Sequence, residues 1–277
     1  MSISAADVKK LRDMTGAGMM DCKKALAEAD GDFDQAVELL RKKGQQVSEK
    51  RSDREANQGL ILSRISDDKK KAALLEINCE TDFVARNEEF QDDAEVFLNT
   101  AFEHNIDNVD DLLQAEVEGL TIEKHLEEMV GKIGEKIEIN NVVLTTTEGT
   151  LVDYIHPGNQ LGVLAEFDGD LTDENIGKDV AMQVAAMKPL AVTRDGVDSS
   201  LVEKELEIAK EQLLNEGKPE HIAEQASKGK LRRFYEERVL LEQKFVKDNS
   251  VSVQDYLKQN DAPLVKSFHR LQLGEDA

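Results

Sequence analysis

The sequence predicts an α+β protein with a three-helix N-terminal module, two related α+β core subdomains with antiparallel sheets, and a protruding antiparallel helical hairpin. Three observations support this class. Residues 1–47 combine helical periodicity with capping signals. A strand hairpin followed by a helix then occurs twice along the chain. Residues 200–237 contain two helical patterns with narrow apolar seams and many Glu and Lys residues.

The chain length and cysteine content indicate a protein of a reducing compartment. At 277 residues the chain is long enough for about two domains. No apolar run approaches the ~18 residues that a membrane crossing needs, and the N-terminus MSISAAD lacks the features of a signal peptide. The only two cysteines, Cys22 and Cys79, do not make a disulfide framework. We therefore expect a soluble cytoplasmic protein with no membrane partner.

The charge balance disfavours nucleic acid as a direct partner. The net charge is −22, from 35 basic and 57 acidic residues, and such a surface repels phosphate backbones. One basic cluster, KGKLRR at residues 228–233, is followed at once by Glu236 and Glu237 on the same predicted helix. This pattern is more typical of a solvated helix face than of a nucleic-acid patch.

Residues 1–47 are predicted to form three short helices. Ser4 and Asp7 have the spacing of a capping box at the start of the first helix. The third helix is predicted to end at Gly44, because glycine after two lysines is a common C-terminal signal. The polar residues 48–57 that follow are interpreted as a linker or an exposed helix.

Two core subdomains are predicted, at residues 58–140 and 141–277. Each begins with a strand hairpin that leads into an amphipathic helix. LEIN at residues 75–78 resembles AEFD at residues 165–168, which is a weak internal repeat and indicates related subdomains. A strand from Glu135 to about Thr147 is predicted to close the first sheet and start the second.

The helical hairpin at residues 200–237 is predicted to be inserted in the second subdomain. Ser200 and Glu203 have capping-box spacing at its start. Glycine and proline within EGKP, residues 216–219, mark the turn between its two helices. Residues 241–277 then form a C-terminal segment.

The motifs that could carry chemistry are weak. GAG at residues 16–18 has neither the preceding strand nor the third glycine of a dinucleotide-binding loop. DGDFD at residues 30–34 lacks the glycine and glutamate positions of a calcium loop. Cys22 and Cys79 fit buried small side chains better than nucleophiles, although a thiol enzyme with His156 or another histidine as base is an alternative. We expect no enzyme, no cofactor and no metal site.

Two apolar segments instead suggest binding. Adjacent helical positions point about 100° apart, so Met19 and Met20 cannot both face one small core, and at least one is expected to be exposed. In ETDFVARN, residues 80–87, Phe83 is either the first core residue of a helix or a contact with another protein. The residues alone therefore leave open a helical adaptor or chaperone-like protein that holds clients without any nucleotide exchange.

Two longer segments, LRDMTGAGMMDCKKAL at residues 11–26 and EINCETDFVAR at residues 76–86, closely resemble the signatures of the bacterial elongation factor Ts family. The resemblance continues in the same order through KIGE at 132–135, IHPG to LGVL at 155–164, VAAMKP at 184–189 and GKP at 217–219. It covers nearly the whole chain. It implies a guanine-nucleotide exchange factor for the GTPase elongation factor Tu.

The resemblance also implies a set of contacts with elongation factor Tu. The N-terminal module is similar to a ubiquitin-associated domain that sits on the GTPase domain, which the helical hairpin also touches. Asp82 and Phe83 match a Thr-Asp-Phe motif whose ring enters that domain and disturbs its magnesium and phosphate site. His156 matches a contact that holds a β-barrel domain of the partner. The positions that match family contacts are Arg12, Met19, Met20, Lys23, Arg51, Asp82, Phe83, His156 and Val246.

The implied activity requires no covalent chemistry and no cofactor. A homodimer and a heterotetramer with elongation factor Tu are both compatible with the resemblance. The expected compartment is the bacterial cytoplasm.

Overall fold

The computed structural model describes residues 3–275 and shows mixed helices and antiparallel sheets, which confirms the predicted α+β class. The helices are α1 (Ala5–Thr15), α2 (Met19–Glu28), α3 (Phe33–Arg51), α4 (Asp82–Ala85), α5 (Glu88–His104), α6 (Val109–Gln114), α7 (Ile122–Ile133), α8 (Glu174–Met187), α9 (Ser199–Asn215), α10 (Glu220–Arg238) and α11 (Val253–Gln259). The strands are β1 (Gln58–Ile65), β2 (Lys71–Cys79), β3 (Glu116–Val117), β4 (Leu120–Thr121), β5 (Ile137–Thr146), β6 (Thr150–Ile155), β7 (Leu161–Phe167), β8 (Lys244–Phe245), β9 (Asp248–Ser252) and β10 (Val265–Gln272). Within residues 3–275, no helix is both long enough and apolar enough to cross a membrane.

Helices α1, α2 and α3 form a module with a core of its own. The capping box that starts α1 is confirmed: the Asp7 N–H donates to Ser4 Oγ, and the Ser4 N–H donates to the Asp7 carboxylate. Leu11, Cys22 and Leu26 are fully buried at the centre of the module. Since apolar burial is the main favourable term in folding, this cluster stabilises the module.

The prediction that the third helix ends at Gly44 is wrong. Helix α3 continues to Arg51 and takes up the first residues of the predicted linker. Gly44 lies where α3 crosses α7, and a Cβ on Gly131 of α7 would be 2.6 Å from the Gly44 Cα atom. The two helix backbones therefore touch at a pair of glycines, because any side chain there would keep them apart.

We expect Gly131→Ala to lower the free energy of unfolding by about 1–3 kcal/mol, since overpacking a fixed backbone contact forces neighbouring atoms to shift. Gly229→Ala in α10 is the matched control, because a Cβ there meets nothing within 4 Å. Alanine is the better helix former, so the control should gain up to about 1 kcal/mol. Thermal unfolding followed by circular dichroism measures both variants. Unchanged stability of Gly131→Ala would contradict the close helix crossing.

The first sheet has the antiparallel strand order β1-β2-β5. Helices α5 and α7 cover one face of it, around the fully buried Leu75, Ile77 and Phe90. The predicted subdomain boundary after residue 140 falls inside β5, which pairs with β2 along its whole length as far as Thr146. The register shifts by one residue near position 140, at a β-bulge. The strand closes the first sheet but does not enter the second.

The second sheet repeats the layout of the first, with the antiparallel order β10-β7-β6. In both sheets the second strand of a hairpin is central, and a later strand pairs with its other side. Each central strand carries one buried glutamate, Glu76 in LEIN and Glu166 in AEFD. These equivalent positions support the internal repeat.

The two sheets pack against each other through a shared apolar cluster. Ile61 and Leu74 come from the first sheet, Leu151 and Leu164 come from the second, and all four are buried. A backbone link adds to this contact, because the Ile61 N–H donates to the Asn159 carbonyl over 2.7 Å. The cluster and this hydrogen bond together fix the first half of β1 relative to the turn between β6 and β7.

Helices α9 and α10 form the predicted helical hairpin. Ala209, Leu213 and Ala223 are buried along it. The predicted capping box at Ser200 is wrong, since Asp198 is the N-cap and its carboxylate accepts the Ser200 N–H over 2.7 Å. Aspartate is as good an N-cap residue as serine. With Asp198 as the N-cap, helix α9 begins at Ser199, slightly earlier than predicted.

Candidate functional site

Phe83 projects into solvent from the one-turn helix α4, with 83% of its surface exposed. Its neighbours Val84 and Ala85 pack inward against the core of the first sheet. Of the two interpretations of ETDFVARN, the structure excludes the one in which Phe83 is a core residue. The ring is free to contact another molecule.

The residue before α4, Thr81, is bound to the segment that follows α7. Its side chain makes no capping bond to α4; instead Oγ1 donates to Glu135 Oε1 over 2.8 Å, and its N–H donates to Glu135 Oε2 over 3.0 Å. In return, Glu80 Oε1 accepts the Lys136 N–H over 2.7 Å. We call these four residues, Glu80, Thr81, Glu135 and Lys136, the Glu80–Glu135 clamp. It fixes the backbone immediately before Phe83.

Two arginines attach the end of α3 to this clamp. Arg51 Nη1 lies 2.6 Å from Glu80 Oε1, and Arg54 Nη1 lies 3.0 Å from Glu80 Oε2. Burial by itself would raise the pKa of Glu80, but the hydrogen bonds from the Lys136 N–H, Arg51 and Arg54 outweigh it and lower that pKa. Glu80 therefore stays ionised. Arg51, predicted as a partner contact, is half-buried in this ion pair.

A groove of about 420 Å³ separates α4 from the turn between β6 and β7. Asp82, Arg86 and residues 158–160 are among the residues that line it. His156 is exposed at the start of that turn, and its Nδ1 lies 2.8 Å from the Tyr154 hydroxyl. The structure thus brings Asp82 and the turn that begins at His156 to one groove.

The candidate residues of the N-terminal module all lie at its surface. Arg12 near the end of α1 and Lys23 in α2 are exposed. Met19 and Met20 are 44% and 64% exposed, so both are accessible where the prediction required at least one. Met14, which the sequence analysis did not single out, is also exposed and extends the apolar part of this surface.

Val246 lies on the second subdomain, exposed just after β8. Its N–H donates to Oε1 of the fully buried Gln183 over 2.7 Å. Gln183 Nε2 in turn donates to Oε1 of the fully buried Gln243 over 3.1 Å. Buried amides that are paired in this way hold a segment in one conformation.

By these contacts the candidate residues form three groups. The first is the module surface, the second surrounds Phe83 and the groove, and the third is Val246. Sequence reasoning missed the roles of Glu80 and Glu135 in the second group. The signal that could have found Glu135 is KIGE, a segment of the family resemblance to which no role had been given.

The cysteines do not have the surroundings of a catalytic thiol. Both Cys22 and Cys79 are buried. Burial, together with the nearby Glu135 carboxylate, raises the pKa of the Cys79 thiol to about 12. Reactive cysteines are exposed and have lowered pKa values. Cys79 is buried and has a raised pKa, so it lacks both properties of a nucleophilic thiol. Within the described residues 3–275, no group of three His, Cys, Asp or Glu side chains could hold a metal ion.

We expect the native protein to resist alkylation by iodoacetamide at pH 8, because the thiolate is the reactive species and Cys79 forms almost none at that pH. The same reaction in denaturant should label both cysteines fully. Mass spectrometry of Cys22→Ala and Cys79→Ala assigns any label to its site. Rapid labelling of native Cys79 would reopen the thiol-enzyme alternative.

Comparisons with known proteins identify similar chains. A family model described as Elongation factor TS matches residues 80–275. The chain is 45% identical to Elongation factor Ts of Amoebophilus asiaticus, over 99% of this chain and 100% of that protein. It is 48% identical to Elongation factor Ts of Chlorobaculum tepidum, over 98% and 99% of the two chains. It is 44% identical to Elongation factor Ts of Aquifex aeolicus, over 99% of both.

Proposed function

The chain belongs to the elongation factor Ts family, and from this premise we propose that it is a guanine-nucleotide exchange factor for elongation factor Tu. It binds Tu, promotes the release of GDP and so allows GTP to bind during translation elongation. The observation that carries this proposal is the exposed Phe83 ring on a braced turn, within the segment that resembles the family's Thr-Asp-Phe motif.

Exchange of this kind is a coupling between two binding sites on Tu. If this chain binds nucleotide-free Tu more tightly than GDP-bound Tu, it weakens the binding of GDP to Tu. The affinity for GDP falls by the same ratio as the ratio of the two affinities for this chain. A roughly thousandfold effect needs about 4 kcal/mol of differential binding. That exceeds a typical coupling of about 1–3 kcal/mol, so several contacts must share it.

The three surface groups can supply this energy together. A desolvated aromatic anchor is often a hot spot that contributes more than about 2 kcal/mol, whereas one exposed ion pair contributes at most about 1 kcal/mol. Asp82 and Phe83 are proposed to enter the GTPase domain near its magnesium and phosphate site. The module surface with Arg12, Met19, Met20 and Lys23 is proposed to contact the same domain.

Four further parts of the chain complete the proposed contact. Arg51, which binds the Glu80–Glu135 clamp, is proposed to contact Tu as well. His156, at the start of the turn between β6 and β7, is proposed to hold a β-barrel domain of Tu. The hairpin of α9 and α10 touches the GTPase domain, and Val246 adds a contact from the second subdomain.

The factor changes no covalent bond in this proposal and therefore is not an enzyme with a reaction centre of its own. It needs no cofactor, and the ratio of GTP to GDP sets the direction of exchange. The proposed compartment is the bacterial cytoplasm, where translation takes place. The homodimer and the heterotetramer with Tu stay predictions.

Stopped-flow release of fluorescent GDP from Tu tests the proposal. The rate should rise with the concentration of this chain and should be the same for its Cys22→Ala and Cys79→Ala variants. A helical adaptor would bind without changing the rate. A thiol enzyme would lose its activity with the cysteines.

A further inference from the structure

We propose that Glu135 is a positioning residue that holds the Phe83 ring in its solvent-facing orientation through Thr81, an inference that rests on the proposed function of that ring. The interaction is the set of hydrogen bonds of the Glu80–Glu135 clamp, which joins two segments that are far apart in the sequence. Glu135 itself is not proposed to contact Tu. It acts through the backbone of residues 80–82.

The local sequence cannot hold the ring by itself. Helix α4 is a single turn, Asp82–Ala85. An isolated helical turn is unstable, because it fixes several backbone dihedral angles and gains too few hydrogen bonds to offset that entropy cost. Thr81 stands at the N-cap but makes no side-chain bond to the helix. A residue held only by such a turn would sample several orientations.

Thr81 is instead held through all three of its polar groups. Its N–H and its hydroxyl both donate to the Glu135 carboxylate, over 3.0 and 2.8 Å. Its carbonyl accepts from the Cys79 thiol over 3.2 Å, as well as from the Ala85 N–H over 3.3 Å. Glu135 thus accepts two of the bonds that hold Thr81, and hydrogen bonds to a carboxylate are stronger than those between neutral groups.

The clamp is reciprocal, which fixes both segments at once. Glu135 receives bonds from Thr81, and Glu80 receives a bond from the Lys136 N–H. The side chains of the two glutamates link residues 80–81 to residues 135–136, directly beyond the end of the β2–β5 pairing, where Cys79 pairs with Ile137. Arg51 and Arg54 also bind Glu80 and so join the end of α3 to the same point.

The absence of tryptophan from the sequence allows a direct measurement of ring mobility. Phe83→Trp introduces a single tryptophan at the site, and its fluorescence anisotropy reports how firmly the ring is held. In this background we expect Glu135→Ala to lower the anisotropy. Thr81→Val, which removes only the hydroxyl donor, should lower it less.

Glu103→Ala is the matched control, because Glu103 forms an exposed ion pair with Arg64 in the same subdomain. It should leave the anisotropy unchanged. Glu135→Gln keeps one acceptor oxygen and should restore part of the anisotropy that alanine loses. If Glu135→Ala proves unfolded by circular dichroism, Thr81→Val and Glu135→Gln decide the question, since each keeps most of the clamp.

The second readout is GDP release from Tu, measured with Phe83 in place. Losing bonds to a charged acceptor is expected to reduce the acceleration about tenfold for Glu135→Ala. In Phe83→Ala, which has no ring to position, the added Glu135→Ala should have little further effect. Such non-additivity is the mark of two residues that act through one another.

Native-like variants with unchanged anisotropy would overturn the proposal, as would fully additive losses in the exchange assay. The fluorescence measurement needs no Tu. If the wild-type chain fails to accelerate GDP release while the anisotropy still falls, the proposed function is contradicted and the positioning of the ring is supported.

Discussion

Phe83→Ala is expected to remove most of the acceleration of GDP release from elongation factor Tu while the fold stays intact. Truncating an aromatic hot spot costs about 2–4 kcal/mol, which corresponds to a loss of roughly 30- to 1000-fold. The ring is 83% exposed in the free chain, so its removal leaves no cavity and should not change the melting temperature. Stopped-flow fluorescence and thermal unfolding measure the two quantities.

Val96→Ala is the control for this experiment, because Val96 is also an exposed apolar residue, 41% exposed on α5 of the same subdomain. It should leave both the exchange rate and the melting temperature unchanged. A Phe83→Ala variant that exchanges at the wild-type rate would contradict the proposed role of the ring. A variant that unfolds would show that the ring supports the fold.

Leu164→Ala should have the largest effect on stability among the substitutions proposed here. Leu164 is buried in the apolar cluster between the two sheets, beside Ile61 and Leu151. Replacing a buried leucine by alanine costs about 2–5 kcal/mol, from lost apolar burial and from the cavity left behind. Because this cluster joins the two halves of the groove, the affinity for Tu should fall as well.

Chemical denaturation of Leu164→Ala measures the loss, with Leu214→Ala as the control. Leu214 lies on α9 of the helical hairpin and is 40% exposed, so its truncation should cost less than about 1 kcal/mol. Equal effects of the two substitutions would contradict a shared core between the sheets. The two subdomains would then unfold as separate units.

Local sequence patterns were sufficient for features that depend on neighbouring residues. The capping box of Ser4 and Asp7, the strands β6 and β7, and the paired glycine and proline of the hairpin turn all involve residues a few positions apart. Helical geometry alone predicted that at least one of Met19 and Met20 is exposed, and both are. Such signals need no knowledge of the rest of the fold.

Features that depend on distant segments could not be predicted. Gly44 has the sequence signature of a helix end, yet it serves the contact with Gly131, some distance along the chain. Thr81 has the signature of a helix cap, yet its hydroxyl donates to Glu135. In both cases a tertiary contact replaces the local interaction, because the fold brings a better partner within reach. The outward direction of Phe83 was predicted by the family resemblance and not by the local pattern, which left a core position open.

Titration calorimetry tests the proposed exchange activity most directly. It measures the affinity of this chain for Tu twice, without nucleotide and with saturating GDP. A protein that binds two states equally shifts nothing, so exchange requires a difference between the two affinities. The proposed exchange activity requires binding to nucleotide-free Tu that is tighter by about two orders of magnitude or more, with a smaller ratio for Phe83→Ala. Equal affinities for the two forms of Tu would contradict it.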